Sequence, residues 1–204
     1  MTSPWFPDGQ PDPLILASVS PRRSHILRQV GVRFAQAAPE ADETWPAGMP
    51  VGEAVKVLAL RKARAVAPGY PDGVVIGADT EVILDGTCLG KPDSQDGAVR
   101  MLRRLAGNRH LVVTGLALIE GLTGREYTEA VTTEVWMRSA SDDELRAYAA
   151  TGEPADKAGA YGIQGLGAGL VTRINGCYFN VVGLPISRLI ECLQRIARAR
   201  RVPE

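Results

Sequence analysis

Apolar residues along the chain form either short continuous runs or stretches with helical spacing. A run at residues 14–17 predicts a strand, and residues 22–30 predict a helix that Gly31 ends. A short strand at 32–38 and a helix at 51–67, closed by Pro68-Gly69, follow. This alternation of strands and helices predicts an α/β protein.

The second half of the chain continues the alternation. Residues 74–76 predict a buried strand that runs on through 81–84, and 94–106 predict a helix. Strands are predicted at 111–119 and 127–137, and Ser141 with Glu144 predicts a capping box for the next helix. The remaining predictions are a hairpin over 171–182 around Asn175-Gly176 and a last helix after Pro185.

Composition excludes several classes of protein. Lys and Arg together number 23, as do Asp and Glu, so there is no global positive field and we expect no nucleic-acid partner. Three cysteines without a CxxC pair argue against a disulfide scaffold or zinc site and fit a reducing compartment. No apolar run reaches membrane-spanning length, so we expect a cytoplasmic protein without a membrane partner. Residues 1–13, with four prolines, are predicted to be a flexible leader.

The segment Ser20-Pro21-Arg22-Arg23 places two cations where a helix begins. Ser20 suits the N-cap and Pro21 the first helical position, so both arginines fall in the first turn, where the helix dipole is already positive. A bound anion would resolve this conflict, because backbone N–H groups and guanidinium groups converge there. The alternative is a pair of solvated arginines that point away from the helix end.

Asp79 follows the apolar run 74–76 and two small residues, Gly77 and Ala78. We expect it at the carboxyl end of a buried strand, where open α/β sheets bind ligands, with the small residues leaving room for a bulky anion. A carboxylate there could bind a divalent cation or activate water beside a phosphate. It could also simply cap the turn that follows.

Two lysines and an acidic loop could complete a phosphate site. Lys91 precedes a stiffening proline and Lys62 lies on a predicted helix, but either could be an ordinary solvated lysine. Asp42 or Glu43 could join Asp79, because Mg²⁺ needs only one or two protein carboxylates when phosphate and water fill the other positions. A solvated acidic loop is the alternative.

The segment 156–165 is rich in glycine and small residues. It is neither a Walker A loop nor a dinucleotide fingerprint, since no strand leads into it and no helix clearly follows. Gln164 could bind a base edge through its amide, which both donates and accepts hydrogen bonds. An ordinary glycine-rich surface loop is the alternative.

Taken together in this order, the motifs resemble those of the Maf family of nucleoside triphosphate pyrophosphatases, also called septum formation inhibitors. The resemblance covers roughly residues 14–195. The segments that carry it are Leu16-Ala-Ser-Val-Ser-Pro-Arg-Arg23, Lys62-Ala63-Arg64, Gly77-Ala-Asp-Thr80, Gly90-Lys91-Pro92, Met101-Leu102 with Leu105 and Gly107, Asp156-Lys-Ala-Gly-Ala-Tyr-Gly-Ile-Gln-Gly165 and Asn180-Val-Val-Gly-Leu-Pro185.

The resemblance implies an α/β fold of two lobes within residues 14–204, with a twisted mixed sheet, flanking helices and a central cleft, similar to inosine triphosphate pyrophosphatases. It implies metal-dependent hydrolysis of nucleoside triphosphates to a nucleoside monophosphate and pyrophosphate, with Mg²⁺ or Mn²⁺. A homodimer is expected on the family's account alone.

The resemblance also implies roles for individual residues. Asp79 would accept a proton and, with Glu43, hold the metal, although Glu40 or Asp42 could take the place of Glu43. The other implied site residues bind substrate: Ser18, Arg23, Lys62 and Lys91 toward the phosphates, and Arg22, Thr80 and Gln164 in substrate choice. The segment 156–165 resembles the branch that prefers dTTP and UTP; a 7-methyl-GTP pyrophosphatase or a nucleotide-sensing regulator without turnover are the alternatives.

Overall fold

The computed structural model describes residues 3–7, 9–46 and 48–200. Strands and helices alternate along this part of the chain, and the predicted α/β class is confirmed. The elements are β1 (Leu14–Ala17), α1 (Pro21–Gln29), β2 (Ala35–Ala37), α2 (Val51–Val66), β3 (Val74–Leu84), β4 (Thr87–Cys88), α3 (Gln95–Leu105), β5 (Arg109–Glu120), β6 (Arg125–Met137), α4 (Asp142–Ala150), β7 (Val171–Asn175), α5 (Tyr178–Val182) and α6 (Ile186–Ala199).

The strands form a seven-stranded sheet, which is mixed, as the family resemblance implied. Its order is β2-β1-β3-β5-β6-β7, and β4 pairs with β3. β1 is parallel to both of its neighbours, with Ile15 opposite Ala35 of β2 and Val75 of β3. All four residues of β1 are buried, which is typical of an inner parallel strand covered on both faces.

The chain divides into two compact units. Unit 1 comprises the residues up to Asp79, Thr114–Val131 and the residues from Gly183 onward, and unit 2 comprises Thr80–Val113 and Thr132–Val182. Each unit has its own apolar core. The core of unit 1 includes Ile15, Ala59, Ala63, Val75 and Ala117, and that of unit 2 includes Val82, Leu102, Leu105, Val135 and Leu145.

Two glycines let α2 lie against the backbone of the sheet in unit 1. A Cβ added to Gly77 would stand 2.1 Å from the carbonyl oxygen of Ala59, and one added to Gly115 would stand 2.1 Å from that of Val55. Only a residue without a side chain allows so close an approach. The sequence interpretation of Gly77 as room for an anion was therefore wrong, because a helix fills that space.

β3 runs from Val74 to Leu84, as predicted, but Asp79 lies in its middle rather than at its carboxyl end. The parallel pairing with β1 stops at Leu16 opposite Ile76, however. Asp79 thus lies three residues beyond the part of β3 that β1 covers. The apolar run 74–76 therefore marks where the pairing with β1 ends, whereas the strand itself continues to Leu84.

The hairpin predicted for residues 171–182 was also wrong. β7 pairs with β6, with Val135 opposite Ile174, and the chain then forms the short helix α5. Asn180 of α5 donates hydrogen bonds to the carbonyl of Val112 and to the hydroxyl of Thr133, both at 3.0 Å. These bonds to β5 and β6 replace the pairing with β7 that a hairpin would need.

Part of the expected leader packs on unit 1. Phe6 is 3% exposed, and Trp5 donates a hydrogen bond from Nε1 to the carbonyl of Val30, at 3.1 Å. Gln10 forms two hydrogen bonds with the backbone of Arg33, at 2.6 and 3.0 Å. The segment is therefore attached to the unit by several side-chain hydrogen bonds ahead of β1.

No helix in the described ranges is both long enough and apolar enough to cross a membrane. Cys88, Cys177 and Cys192 are free thiols. The predicted capping box of α4 is confirmed, with the Ser141 side chain and the Glu144 side chain each bonded to the other residue's backbone N–H.

Candidate active site

The turn between β1 and α1 carries the two arginines that the sequence singled out. Ser20 occupies the N-cap position and Pro21 begins α1, but the Ser20 side chain makes no capping bond. The first turn of the helix holds no acidic residue. Two cations therefore lie at the positive end of a helix without a carboxylate of that turn to offset them.

Arg23 is fixed in place by two hydrogen bonds within unit 1. Its Nε donates to the carbonyl of Gly183 at 2.8 Å, and its Nη1 donates to the hydroxyl of Ser18 at 3.2 Å. Ser18 is itself only 4% exposed. The alternative of a solvated side chain pointing away from the helix is thus wrong for Arg23.

The charges around Arg23 define an electrostatic cluster in unit 1. Burial lowers the pKa of the Arg23 guanidinium from its usual value; the carboxylates of Asp79 and Glu43 act in the opposite direction, and the charge of Arg22 adds to the lowering. An arginine remains charged in proteins under these conditions. Arg23 is therefore a half-buried cation that interacts electrostatically with both predicted metal-binding carboxylates.

Lys62 joins those two carboxylates directly. Its Nζ lies 2.6 Å from Oδ1 of Asp79 and 2.8 Å from Oε1 of Glu43. Lys62 and Asp79 are each 9% exposed, whereas the Glu43 side chain is 64% exposed. The close approach of α2 at Gly77 brings Lys62 to Asp79, because Ala63 packs beside Gly77 and Asp79 is two residues further along β3.

The acidic loop is attached to α2 by two consecutive residues. Arg61 lies 3.3 Å from the Asp42 carboxylate and donates to the carbonyl of Thr44 at 2.9 Å, while Lys62 holds Glu43. Asp42 also accepts from the backbone N–H of Thr44 at 2.8 Å, and hydrogen bonds from the Thr44 side chain and backbone lower the pKa of the Asp42 carboxyl. Of these two carboxylates, Glu43 is the one that shares a cation with Asp79.

The arrangement suits a divalent cation of the hard, oxygen-binding kind. Oδ2 of Asp79 is buried and has no hydrogen-bond partner in the part of the chain that the structure describes. A buried carboxylate oxygen is costly when unpaired, so this atom is suited to accept a cation or a proton. No group of three or more His, Cys, Asp or Glu side chains forms a metal cluster among the described residues, but Mg²⁺ needs only one or two carboxylates when phosphate and water complete its shell.

The remaining predicted site residues belong to unit 2. Thr80 follows Asp79 on β3 and, by strand alternation, shares a face with Val82. Lys91 is exposed, and the loop before it is tied to the glycine-rich segment where the N–H of Gly159 donates to the carbonyl of Gly90 at 2.7 Å. Gln164 is half-buried within that segment.

Two residues that the sequence did not single out organise the glycine-rich segment. The Glu153 carboxylate accepts hydrogen bonds from the backbone of Leu166 and Gly167, at 2.9 and 3.0 Å. The Tyr148 hydroxyl donates to Glu153 at 2.8 Å and accepts from the N–H of Gly162 at 3.2 Å. No local pattern marks either residue, since their partners lie up to 14 positions away along the chain.

Comparison with known proteins places the chain in a family. The model of the family described as Maf-like protein matches residues 13–196. A dTTP/UTP pyrophosphatase of Moorella thermoacetica is 49% identical over 88% of this chain and 93% of its own length. Enzymes of the same name from Symbiobacterium thermophilum and Methanosarcina barkeri are 50% and 45% identical, over 88% and 89% of this chain and over 92% and 93% of their own lengths.

Among solved structures, the Ham1 protein of Staphylococcus aureus aligns with 63% of this chain and 73% of its own, at 16% identity and a TM-score of 0.44. The family model spans nearly all of the described residues, and the curated relatives match at almost full length. The chain belongs to the Maf family.

Proposed function

We propose that this protein hydrolyses nucleoside triphosphates, dTTP and UTP in particular, to the nucleoside monophosphate and pyrophosphate. The relatives that match at 45–50% identity are named dTTP/UTP pyrophosphatases. The observation that carries the proposal is the buried Asp79 carboxylate, held at Oδ1 by Lys62 and unpartnered at Oδ2 among the described residues. A pure binding protein for a polyanion would need cations but not this carboxylate.

The cations of the site bind the phosphates. Arg22, Arg23, Lys62 and Lys91 offset the charge of the triphosphate and of the departing pyrophosphate, and Ser18 keeps Arg23 in position. Arg23 and Lys62 are already held by neighbours before substrate arrives. Such preorganised charges need little rearrangement in the transition state, which makes them more effective than mobile ones.

Asp79 and Glu43 are the residues that would hold a divalent cation, Mg²⁺ or Mn²⁺. When bound, the cation supplies Lewis-acid polarisation of the phosphate and neutralises its charge. This assignment rests on the shared contact with Lys62, which draws the two carboxylates together in unit 1. The Glu43 side chain is 64% exposed, so its carboxylate is accessible to a cation that arrives with the substrate.

Asp79 activates the water. Its Oδ2 accepts the proton while the water oxygen forms a bond to the α-phosphorus, and the bond from that phosphorus to the bridging oxygen breaks as pyrophosphate leaves. Lys62 fixes the orientation of the carboxylate through Oδ1, so that the second oxygen is directed consistently. Aligning water, phosphorus and leaving group accounts for much of the rate gain in such reactions.

Selection of the nucleotide falls to Arg22, Thr80 and Gln164. The Gln164 amide has one acceptor and one donor group, which matches the N–H and carbonyl edge of thymine and uracil. We further propose that the protein acts in the cytoplasm as a house-cleaning enzyme on free nucleotides, and that it forms a homodimer. Free thiols at all three cysteines are compatible with a reducing compartment.

A panel of nucleotides tests the proposal. Purified protein is incubated with dTTP, UTP, CTP, GTP, ATP and 7-methyl-GTP, with Mg²⁺, with Mn²⁺ and with chelator, and pyrophosphate and monophosphate are quantified. We expect metal-dependent release of both products, fastest with dTTP and UTP. Tight nucleotide binding without product, or a faster reaction with 7-methyl-GTP, would refute the assignment.

A matched pair of variants tests the role of the carboxylate. Asp79→Asn should reduce turnover by at least about a thousandfold, since the proton acceptor is lost. Asp85→Asn makes the same chemical change in the turn after β3, at a φ of 47° that asparagine tolerates, and should leave turnover unchanged. Near-normal turnover in Asp79→Asn would contradict the mechanism.

A further inference from the structure

We infer that Tyr148 and Glu153 are positioning residues for nucleotide selection: by binding the N–H groups of Gly162, Leu166 and Gly167 they set the backbone path on both sides of Gln164. This inference rests on the proposed function, in which Gln164 contacts the base. Neither residue needs to touch the substrate itself.

The hydrogen bonds enclose Gln164 from both sides. Gly162, two residues before it, donates to the Tyr148 hydroxyl at 3.2 Å. Leu166 and Gly167, two and three residues after it, donate to the Glu153 carboxylate at 2.9 and 3.0 Å. Because Tyr148 also donates to Glu153 at 2.8 Å, the two anchoring side chains are linked to each other by a hydrogen bond.

The glycines of the segment are required by this arrangement. A Cβ on Gly165, whose φ is 74°, would stand 2.7 Å from Oε2 of Glu153. A Cβ on Gly167 would stand 2.5 Å from the Tyr148 hydroxyl and 2.4 Å from the carbonyl oxygen of Gly162. The backbone therefore lies directly on the two anchoring side chains, and side chains at these glycines would separate them.

The charge states favour the same geometry. Burial raises the pKa of the Tyr148 hydroxyl, with Glu153 adding to the rise against the bond from Gly162, so the hydroxyl keeps the proton that it donates. For Glu153, burial opposes ionisation, but the bonds from Gly167, Leu166 and Tyr148, together with the charge of Lys157, lower the pKa of the carboxyl. An ionised acceptor forms the stronger kind of hydrogen bond with backbone N–H groups.

Gln164 itself depends on this support. In the part of the chain that the structure describes, its side-chain amide makes no hydrogen bond, so its position follows from the backbone that carries it. The amide is thereby left available for a ligand. An amide on a loosely held loop can adjust to different bases, whereas an amide on a fixed backbone binds a smaller set of bases.

Neighbouring charges also contact Glu153 but leave its carboxylate to the loop. Lys157 donates from Nζ to the backbone carbonyl of Glu153 at 2.5 Å and to the Asp156 carboxylate at 2.7 Å. The Cε of Lys157 also lies 2.8 Å from the position that a Cβ on Gly162 would occupy. The Glu153 carboxylate thus binds Tyr148 and the loop N–H groups, while Lys157 binds the backbone carbonyl of the same residue.

The test compares Tyr148→Phe and Glu153→Gln with wild type. Tyr148→Phe removes only the hydroxyl, and Glu153→Gln replaces an acceptor by an amide whose N–H₂ faces a backbone donor. We expect the ratio of kcat/KM for dTTP to that for CTP to fall about tenfold in each, mainly through KM for dTTP, since one charge-assisted hydrogen bond is of that magnitude. Asp142→Asn, which weakens an ion pair with Arg103 at the start of the same helix α4, is the matched control and should keep the ratio.

The outcomes separate the two proposals. A wild-type protein that releases no pyrophosphate from dTTP or UTP would refute the proposed function and, with it, this role. A selective wild type whose two variants lose thermal stability but keep the dTTP-to-CTP ratio would overturn the positioning role alone. Should Glu153→Gln fail to fold, Tyr148→Phe by itself decides, because its ring can still pack in the core of unit 2.

Discussion

The ammonium of Lys62 lies 2.6 Å from Oδ1 of Asp79, and only 9% of each residue is exposed. A buried pair of this kind contributes little net stability, because desolvation of the two charges offsets their attraction. It is nevertheless costly to break, since the remaining charge is left in a poorly solvated position. The Lys62–Asp79 pair is therefore better explained by its role in catalysis than by a contribution to stability.

Lys62→Met should lower the free energy of unfolding by about 3 kcal/mol and abolish turnover, because Asp79 is left buried without its cation. The double variant Lys62→Met/Asp79→Leu should regain much of that stability but no activity. Urea unfolding followed by circular dichroism, together with pyrophosphate release, measures both. Lys56→Met, which breaks a pair with Glu53 on the same helix, is the control and should change stability by less than about 1 kcal/mol. A double variant as unstable as the single one would argue against this account.

Gly77→Ala should impair both folding and catalysis. Its Cβ would stand 2.1 Å from the Ala59 carbonyl, so α2 must move away from β3 and carry Lys62 from Asp79. We expect a loss of about 1–3 kcal/mol of stability, as for other overpacked positions, and a lower kcat. Gly69→Ala, where no atom lies within 4 Å of the new Cβ, should be close to neutral in the same unfolding and turnover assays. Unchanged kcat in Gly77→Ala would show that the helix position is not critical.

Glu43 and Asp42 are neighbours that can be distinguished by the same change of charge. Glu43→Gln should raise the Mg²⁺ concentration for half-maximal turnover by at least about tenfold, because Glu43 shares Lys62 with Asp79. Asp42→Asn should have a much smaller effect, since Arg61 and the Thr44 N–H hold that carboxylate. The measurement is a Mg²⁺ titration at saturating dTTP. The opposite order of effects would assign the metal to Asp42.

His110 should make stability depend on pH. It is 2% exposed, its Nε2 lies 2.7 Å from the Tyr161 hydroxyl, and burial lowers its pKa from 6.5 to about 4. Below pH 6.5 His110 therefore binds a proton in the unfolded chain but not in the folded chain, so the free energy of unfolding falls as pH drops toward 4. At pH 5 this amounts to about 2 kcal/mol relative to pH 7.5.

The check is urea unfolding of wild type and His110→Gln at pH 7.5 and pH 5. Glutamine lacks the titrating group, so the variant should lose about 2 kcal/mol less than wild type over this interval. Carboxylates that titrate in the same range contribute equally to both proteins and cancel in the difference. Equal losses would mean that His110 is protonated in the folded state.

Much of the fold could be predicted from local pattern. The apolar spacing located most of the helices and strands, and the Ser141–Glu144 spacing predicted a capping box. Gly31, predicted to end the first helix, follows α1 with a φ of 69°. These features depend on residues within a few positions of one another. The residues 171–182 show the limit, because Asn180 and Cys177 bond to Thr133, more than 40 positions earlier, in place of a local hairpin.

The sequence by itself determined which chemical groups are present and, through the family motifs, which of them to expect in one site. Only the tertiary structure decided that Lys62 bridges Asp79 and Glu43, that Gly77 accommodates a helix, and that Tyr148 and Glu153 hold the segment around Gln164. The physical reason is that hydrophobic periodicity reports burial along one element, whereas these contacts join elements far apart in the chain. Which residues form these contacts depends on how closely helix, strand and loop pack in three dimensions, and the local sequence pattern does not report this.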